Sequence, residues 1–330
     1  MGSPLHIAVS IDGSETPQTM RALVAAADVA GAANLWVAAH LFNRDPITLA
    51  TVALSETSNL GIVLMAISPY TMHPVHAAMA AATLDEFFHG RVQLCFGVGA
   101  PGGLKAAGIA AERPIETLRE TLDVTRELLS GEAVKYNGRR YRISGRLATS
   151  AHPLPLWLAA SGPQMLELAG ERADGVVISA ATSPAFIRSC LDTVRRGEGK
   201  EHRLIRKAAL VVCSVDTEAR RAHDRVRRSL AYVLRGAHHA RNLELAGSRL
   251  DQNALAAAFA AEDWVRADEL MTDDIVMRHS ASGTPEQARA MLETYRSAGL
   301  DEIVLYGVHE DAQLQQALAM IGPQAAPTRR

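Results

Sequence analysis

Apolar residues along this chain alternate between two rhythms. Short, nearly unbroken runs of Ile, Val, Leu and Ala occur at 5–11, 35–39, 61–67, 92–96, 156–160, 175–179, 208–214 and 303–306. Runs of that length, apolar at nearly every position, predict strands buried on both faces, as in a parallel sheet. Between them the apolar residues recur at helical spacing. The clearest case is 115–129, where Ile115, Leu118, Leu122, Thr125 and Leu129 share a face, Pro114 fits the first turn and Gly131 stops the helix. Further helices are expected at 16–30, 46–57, 74–88 and 164–170. Ser183 and Pro184 open another, and Thr284, Pro285, Glu286 and Gln287 form a capping box whose helix runs to 298; a last helix falls near 312–321.

Eight strands alternating with helices predict an α/β fold of the (β/α)8 TIM-barrel type, one domain spanning 1–330. Two stretches break the alternation. The segment VKYNGRRYRI carries Asn137-Gly138 between β-rich arms and predicts a hairpin. Residues 217–278 are polar and mostly helical, too long for a simple crossover, and are read as a helical insertion between strands seven and eight.

Charge narrows the range of partners. With 34 Lys and Arg against 36 Asp and Glu the formal net charge is −2, which argues against a general grip on nucleic acid and leaves only a local basic patch open. Arg220, Arg221, Arg225, Arg227 and Arg228 read as a solvated helix face. Three widely spaced cysteines, Cys95, Cys190 and Cys213, have no metal-ligand spacing and are expected to be reduced core thiols of a cytoplasmic protein. No secretory signal is read at the start. The most apolar long segment, 23–42, is interrupted by Asp28, Gly31 and Asn34, so no membrane span is expected.

Barrel chemistry gathers at the C-terminal ends of the strands. The stretch 68–103 joins a loop at Ser68-Pro69 to glycines at 97, 99, 102 and 103. Gly97-Val98-Gly99-Ala100-Pro101-Gly102 formally matches a dinucleotide fingerprint, but it follows the fourth strand and no acid ends the next one. Ser161, Gly162, Pro163 and Gln164 begin a helix after strand five, where backbone amides could hold a phosphate or form an ordinary cap. His40, at the end of strand two, is the best isolated polar candidate, with a structural histidine as the alternative. His73 and His76 lack a carboxylate to complete a metal set, and Asp85 reads as a buried, paired carboxylate.

Several long segments in the same order carry a resemblance: SPYTMHPVHAAMAAATLDEFFHGRVQLCFGVGAPG, RPIETLRETLDVTRELLSGE, PLPLWLAASGPQMLELAGERADGVVIS, WVAAHLFNRD and SGTPEQAR. The chain resembles the bacterial luciferase-like superfamily, and within it the deazaflavin-dependent oxidoreductases of the methylenetetrahydromethanopterin reductase branch. The resemblance implies a barrel that binds deazaflavin (coenzyme F-420) or FMN at the strand ends and transfers a hydride to a small substrate, a pterin- or folate-linked one-carbon unit. An FMN-dependent monooxygenase and a non-catalytic flavin-binding barrel are the alternatives. It further implies a strand-three bulge, often with a non-prolyl cis peptide, within Leu64, Met65 and Ala66. Gly97 and Gly99 would admit the cofactor, Ser161, Gly162, Pro163 and Gln164 would hold its phosphate, and His40 would lie near the ring. A homodimer or higher homo-oligomer is also implied. Two acids common in the family are replaced, one by Ala39 and the other by the acid-free run Ala100, Pro101, Gly102 and Gly103; Met65 stands where the reductase branch has glycine.

Overall fold

The strands are β1 (His6–Ile11), β2 (Asn34–Ala38), β3 (Gly61–Ile67), β4 (Val92–Phe96), β5 (Val134–Asn137), β6 (Arg142–Gly145), β7 (Leu156–Ala159), β8 (Gly175–Ile178), β9 (Arg206–Val215), β10 (Ala281–Gly283) and β11 (Glu302–Tyr306). The barrel strands form because their residues are mostly apolar on both sides and β-branched at many positions, whereas the hairpin strands β5 and β6 are largely polar and exposed. This computed structural model describes residues 6–149, 154–308, 314 and 316–319. Part of the helix expected at 312–321, and the tail beyond it, lie outside the described residues. The helices are α1 (Pro17–Val29), α2 (Pro46–Glu56), α3 (Pro74–Phe88), α4 (Pro101–Ala106), α5 (Pro114–Leu129), α6 (Pro163–Arg172) and α7 (Pro184–Glu201). After β9 come α8 (Ala219–Leu234), α9 (Ala240–Ala246), α10 (Gln252–Ala260), α11 (Trp264–Leu270) and α12 (Asp273–Arg278), then α13 (Pro285–Ser297).

Proline opens α1 to α7 and α13, where its fixed φ suits the first turn and its missing N–H costs nothing. Thr16, Asp45, Ser183 and Thr284 cap four of these helices by accepting a first-turn N–H, and Thr284 with Gln287 completes the expected capping box.

Eight strands pair in parallel around a closed circuit, β1-β2-β3-β4-β7-β8-β9-β11 and back to β1, so the TIM barrel expected from the alternation is present. The β5–β6 hairpin lies outside it, with Tyr136 opposite Ile143. Short β10, not foreseen from sequence, extends β9 at Ala281 opposite Cys213.

The barrel interior changes character along its axis. At the N-terminal end the buried carboxylate of Glu302 accepts from Asn34 Nδ2 at 2.9 Å, Trp36 Nε1 at 2.8 Å and Arg206 Nη2 at 2.9 Å. Gln93 bridges from Asn34 Oδ1, at 3.0 Å, to Trp157 Nε1, at 2.8 Å. The two indoles meet edge to face, centroids 5.1 Å apart, and Arg206 lies over Trp157. Glycine makes room for this plug: a Cβ on Gly175 would stand 2.3 Å from the Trp157 ring. Around the indoles pack Ala8, Val63, Cys95, Val177, Ala208 and Val304, and Ala38, Ala66 and Ala159 join the same cluster from the C-terminal ends of their strands.

The helices α8 to α12 bury their own cluster, including Val226, Leu230, Leu255, Met271 and Ile275, against Ala180, Ala181 and Val212 of the barrel. The arginine run of α8 is not uniformly solvated, as the sequence suggested. Arg227 turns inward, pairs with Asp224 and Asp273 and donates to the Met271 carbonyl, joining α8 to α12. All three cysteines are buried and unpaired, and burial pushes the Cys190 and Cys213 thiols up to about 12.

Candidate active site

The C-terminal mouth of the barrel is shaped by a break in β3. Its pairing with β4 runs regularly through Leu64 opposite Leu94, then shifts register to Ile67 opposite Phe96, and the peptide between Met65 and Ala66 is cis. The Met65 carbonyl accepts the Ala39 N–H at 2.6 Å, which ties the bulge to the end of β2. The Met65 side chain is buried inside the barrel, whereas Ala66 is half-buried at the mouth.

Gly97 follows β4 directly, and its N–H donates to the Ile67 carbonyl at 3.1 Å. A Cβ there would lie 2.9 Å from Cβ of Ala66 and 3.3 Å from Cβ of Ala159. Three neighbouring strands therefore close up at this level only because each contributes a glycine or an alanine. Gly99 has φ +100°, a conformation that suits glycine, and a Cβ there would meet Ser68 and Leu104 at 3.3 Å. The Ser68 hydroxyl donates to the Val98 carbonyl at 2.7 Å and accepts the Tyr70 N–H at 3.3 Å, locking the strand-three loop to the glycine loop.

His40 is exposed. β2 ends at Ala38 rather than at 39, so His40 stands in the following turn and not on the strand. That turn abuts α4, which takes up Gly102 and Gly103 expected in the loop; a Cβ on Gly103 would lie 3.7 Å from Leu41 Cβ. It is also tied to the loop after β1 through Asn43 Nδ2 to the Asp12 carbonyl at 2.9 Å and Arg44 Nη1 to the Gly13 carbonyl at 3.0 Å.

Beyond Ala159 the chain enters α6, with Ser161, Gly162, Pro163 and Gln164 all exposed. Gly162 is the N-cap and supplies no side-chain acceptor, unlike the capped starts of α1, α2, α7 and α13. First-turn amides thus face outward without an intrahelical acceptor, and the helix dipole adds positive character.

The loop after β8 forms another part of the rim. Ala181 sits at φ +59°, rare for a residue with a side chain, and its surroundings hold it there. Its carbonyl accepts from Asn242 Nδ2 at 2.8 Å and contacts His279 Nδ1 at 3.1 Å, while Asn242 Oδ1 takes the Ser183 N–H at 2.9 Å. The Tyr295 hydroxyl donates to the Thr182 carbonyl at 2.8 Å. His279 Nε2 lies 2.9 Å from the Ser248 hydroxyl, and burial pushes its imidazole down to about 4.

The bulge, the glycine loop, Ala159 and the uncapped α6 are thus adjacent along β3, β4 and β7, and the His40 turn borders them at Leu41. A small-residue, mostly apolar bed of Ala38, Ala66, Gly97 and Ala159 lies beside the first-turn amides of α6. Sequence reasoning missed Ala38 and Ala159, although small residues ending successive strands are a readable signal. It also missed Asn242, His279 and Tyr295, whose distance from the loop along the chain leaves no local pattern. His73 serves as the N-cap of α3, its Nδ1 accepting from Val75 N at 3.2 Å, and Asp85 accepts the Gly90 N–H at 2.9 Å. Among the described residues no group of three or more His, Cys, Asp or Glu could hold a metal, and no helix is long and apolar enough to cross a membrane.

A sequence profile described as luciferase-like monooxygenase matches residues 3–302. The chain belongs to that family. It is 28% identical over 300 residues to a 5,10-methylenetetrahydromethanopterin reductase of Archaeoglobus fulgidus, covering 88% of this chain and 90% of the relative. Among solved structures, the coenzyme F420 dependent tetrahydromethanopterin reductase of Methanopyrus kandleri superimposes with a TM-score of 0.87 at 23% identity, over 100% of both chains. An F420-dependent secondary alcohol dehydrogenase, solved with an F420-acetone adduct, gives a TM-score of 0.77 at 18% identity over 97% of this chain and 99% of its own. At these identities the two superpositions speak for the luciferase-like barrel itself.

Proposed function

We propose that this luciferase-like protein is an oxidoreductase that binds a deazaflavin at the barrel mouth and uses it to move a hydride to or from a small organic substrate. The observation that carries the reading is the bed where Ala66, Gly97 and Ala159 crowd together beside the bulge, with the uncapped start of α6 next to it. In this reading Leu64, Met65 and Ala66 back one face of the ring, and Gly97 and Gly99 let the backbone come close. Ser161, Gly162, Pro163 and Gln164 take the phosphate through helix amides. Reduced deazaflavin supplies the hydride, and the chain supplies orientation and electrostatics.

A pterin-linked one-carbon unit is the substrate class that follows from the Archaeoglobus relative. His40, exposed in the turn next to the glycine loop, is the polar group offered for orienting the substrate or moving a proton. With Ala39 and the run from Ala100 to Gly103 free of acids, the reaction is expected to need little acid assistance from those loops.

Titration of the purified protein with coenzyme F-420 and with FMN, followed by absorbance and fluorescence, tests the cofactor. Saturable F-420 binding with weak or absent FMN binding is expected. Tight FMN binding with no F-420 binding would turn the reading into the monooxygenase one, and binding of neither would leave a non-catalytic barrel. In the F-420-binding protein, His40→Ala should lower the rate of hydride exchange with a pterin about 10- to 100-fold, as for loss of a general acid or base, while F-420 affinity changes little.

A further inference from the structure

The wall that faces the small-residue bed carries a hydroxyl that neither the bed nor the clamp after β8 uses. Side chains alternate along β11. Ile303 and Leu305 pack outward into the core beneath the helices, whereas Glu302 enters the plug and Val304 the barrel interior with Ala8, Trp36 and Val177. The same alternation turns Tyr306, the last residue of the strand, inward at the mouth. Tyr306 pairs with Val212 of β9 in the parallel ladder, and both pack on the cluster that the insertion buries. Leu210 touches that cluster and the barrel interior alike. The insertion is therefore seated over the β9–β11 side of the mouth, with the Tyr306 ring beneath it.

Strand order puts this wall across the barrel from the bed. In the circuit β1-β2-β3-β4-β7-β8-β9-β11, β11 is four steps from β4 in either direction, so Tyr306 and Gly97 close opposite sides of the opening. The tyrosine is half-buried, yet its hydroxyl is not sealed from solvent and, among the described residues, makes no hydrogen bond. The hydroxyls of Tyr70, Tyr141 and Tyr295 all find partners within the fold, as a tyrosine packed into a protein usually does. On the neighbouring strand the inward Ser10 hydroxyl is engaged, donating to the Leu305 carbonyl at 3.0 Å. The carboxylates of the loop after β1 are held by their own backbone: Glu15 accepts from Asp12 N at 3.1 Å and Gly13 N at 2.9 Å, and Asp12 from Ser14 N at 2.8 Å. Burial, followed by the charges of Asp12 and Glu15 and the phenol of Tyr232 on α8, pushes the Tyr306 hydroxyl above the ordinary phenol range. It is protonated at neutral pH and free to donate.

We propose that Tyr306 is a substrate-orienting hydrogen-bond donor: across the mouth from the bed, its phenol O–H holds an oxygen or nitrogen acceptor on the heterocycle that exchanges hydride, and so fixes which carbon of that heterocycle faces the bed. This rests on the mouth being the hydride-transfer site as described above. A ring lying on Ala66, Gly97 and Ala159 presents its other face to the β11 wall, and a substrate stacked on that face lies between the ring and Tyr306. Packing under the insertion restricts the tyrosine ring, which gives its one hydroxyl a direction. The phenol keeps its proton throughout, so the role needs no acid at Ala39 or in the run from Ala100 to Gly103.

The test is Tyr306→Phe in the full-length protein, which removes one oxygen and keeps the ring packed under the insertion. F-420 affinity is read by fluorescence, and hydride exchange between F-420 and methylenetetrahydromethanopterin by steady-state kinetics with KM and kcat resolved. The variant should bind F-420 as wild type does and lose about 3- to 10-fold in kcat/KM for the pterin, the range of one neutral hydrogen bond. Most of that loss should be a rise in KM, because a positioning contact is made in the ground state and the transition state alike. Tyr232→Phe, which removes the neighbouring hydroxyl on α8, should match wild type. An unchanged urea-unfolding midpoint in Tyr306→Phe shows that the kinetic loss is not a loss of fold. Wild-type KM and kcat in Tyr306→Phe overturn the proposal while leaving the mouth reading intact, and so does a loss confined to F-420 affinity, which places the phenol on the cofactor. A wild type that binds no F-420, or binds it and exchanges no hydride with the pterin, removes the mouth reading and the role of Tyr306 with it.

Discussion

The clamp on the loop after β8 makes a prediction about pH. His279 is fully buried, and its imidazole contacts the Ala181 carbonyl and the Ser248 hydroxyl from its two nitrogens. Burial holds the folded-state value at about 4, below the ordinary 6.5 of a free imidazole. The unfolded chain therefore takes up the proton first. Stability from this group is complete above roughly pH 6.5 and drains away as pH falls towards 4. Between pH 7 and pH 5 the linkage relation gives a loss of about 2 kcal/mol from His279 alone. His239, likewise buried and pushed down to about 4, adds a similar loss. The assay is urea unfolding at pH 7, 6 and 5, read by tryptophan fluorescence, for wild type and His279→Gln. The variant loses stability at pH 7 because contacts to Ala181 and Ser248 change, yet its decline from pH 7 to 5 should be shallower by about 2 kcal/mol. A decline as steep as that of wild type would refute the assignment of a neutral, buried imidazole at 279.

Two further outcomes follow from the two ends of the barrel. Glu302→Ala leaves the buried donors Asn34 Nδ2 and Trp36 Nε1 without their acceptor, and half-exposed Arg206 loses its partner. A cost of about 2–5 kcal/mol in urea unfolding is expected, with deazaflavin affinity preserved; a cost below about 1 kcal/mol would contradict the plug. Gly97→Ala forces its new methyl into Ala66 and Ala159, which should destabilise by about 1–3 kcal/mol and weaken deazaflavin binding at least about tenfold. Gly102→Ala is the control, since a Cβ there has nothing within 4 Å, and equal effects of the two substitutions on binding would argue against the bed.

The barrel was legible because its strands are buried on both faces and its helices start on proline, two signals that act locally. Polar residues inside the elements were harder to read. Asn34 looked like an interruption of an apolar stretch, but it opens β2 and hydrogen-bonds within the barrel plug. Asp28, another interruption, accepts the N–H groups of Ser58, Asn59 and Leu60 and so holds the approach to β3. Glu120 is one of several acids in the sequence of α5, and only the fold shows that it accepts the N–H groups of Arg139, Arg140 and Tyr141 at the hairpin turn. Each has a chemical purpose set by a partner distant in sequence, which periodicity does not report. The β3 break was placed by resemblance, since nothing in Leu64-Met65-Ala66 departs from an ordinary apolar strand. For the same reason the insertion could be recognised as helical while the grip of its Asn242 on Ala181 and Ser183 could not.

The plug of Glu302, Arg206, Asn34, Gln93 and the two indoles makes the barrel a vessel with one opening. Whatever lies deepest, against Ala66, Gly97 and Ala159, can leave only past whatever lies above it. Loading and unloading then become a stack, last in and first out. If the bed holds the deazaflavin as proposed, a cofactor that has given up its hydride must be replaced or re-reduced before the next turnover, and its exchange waits for moments when the upper place is vacant.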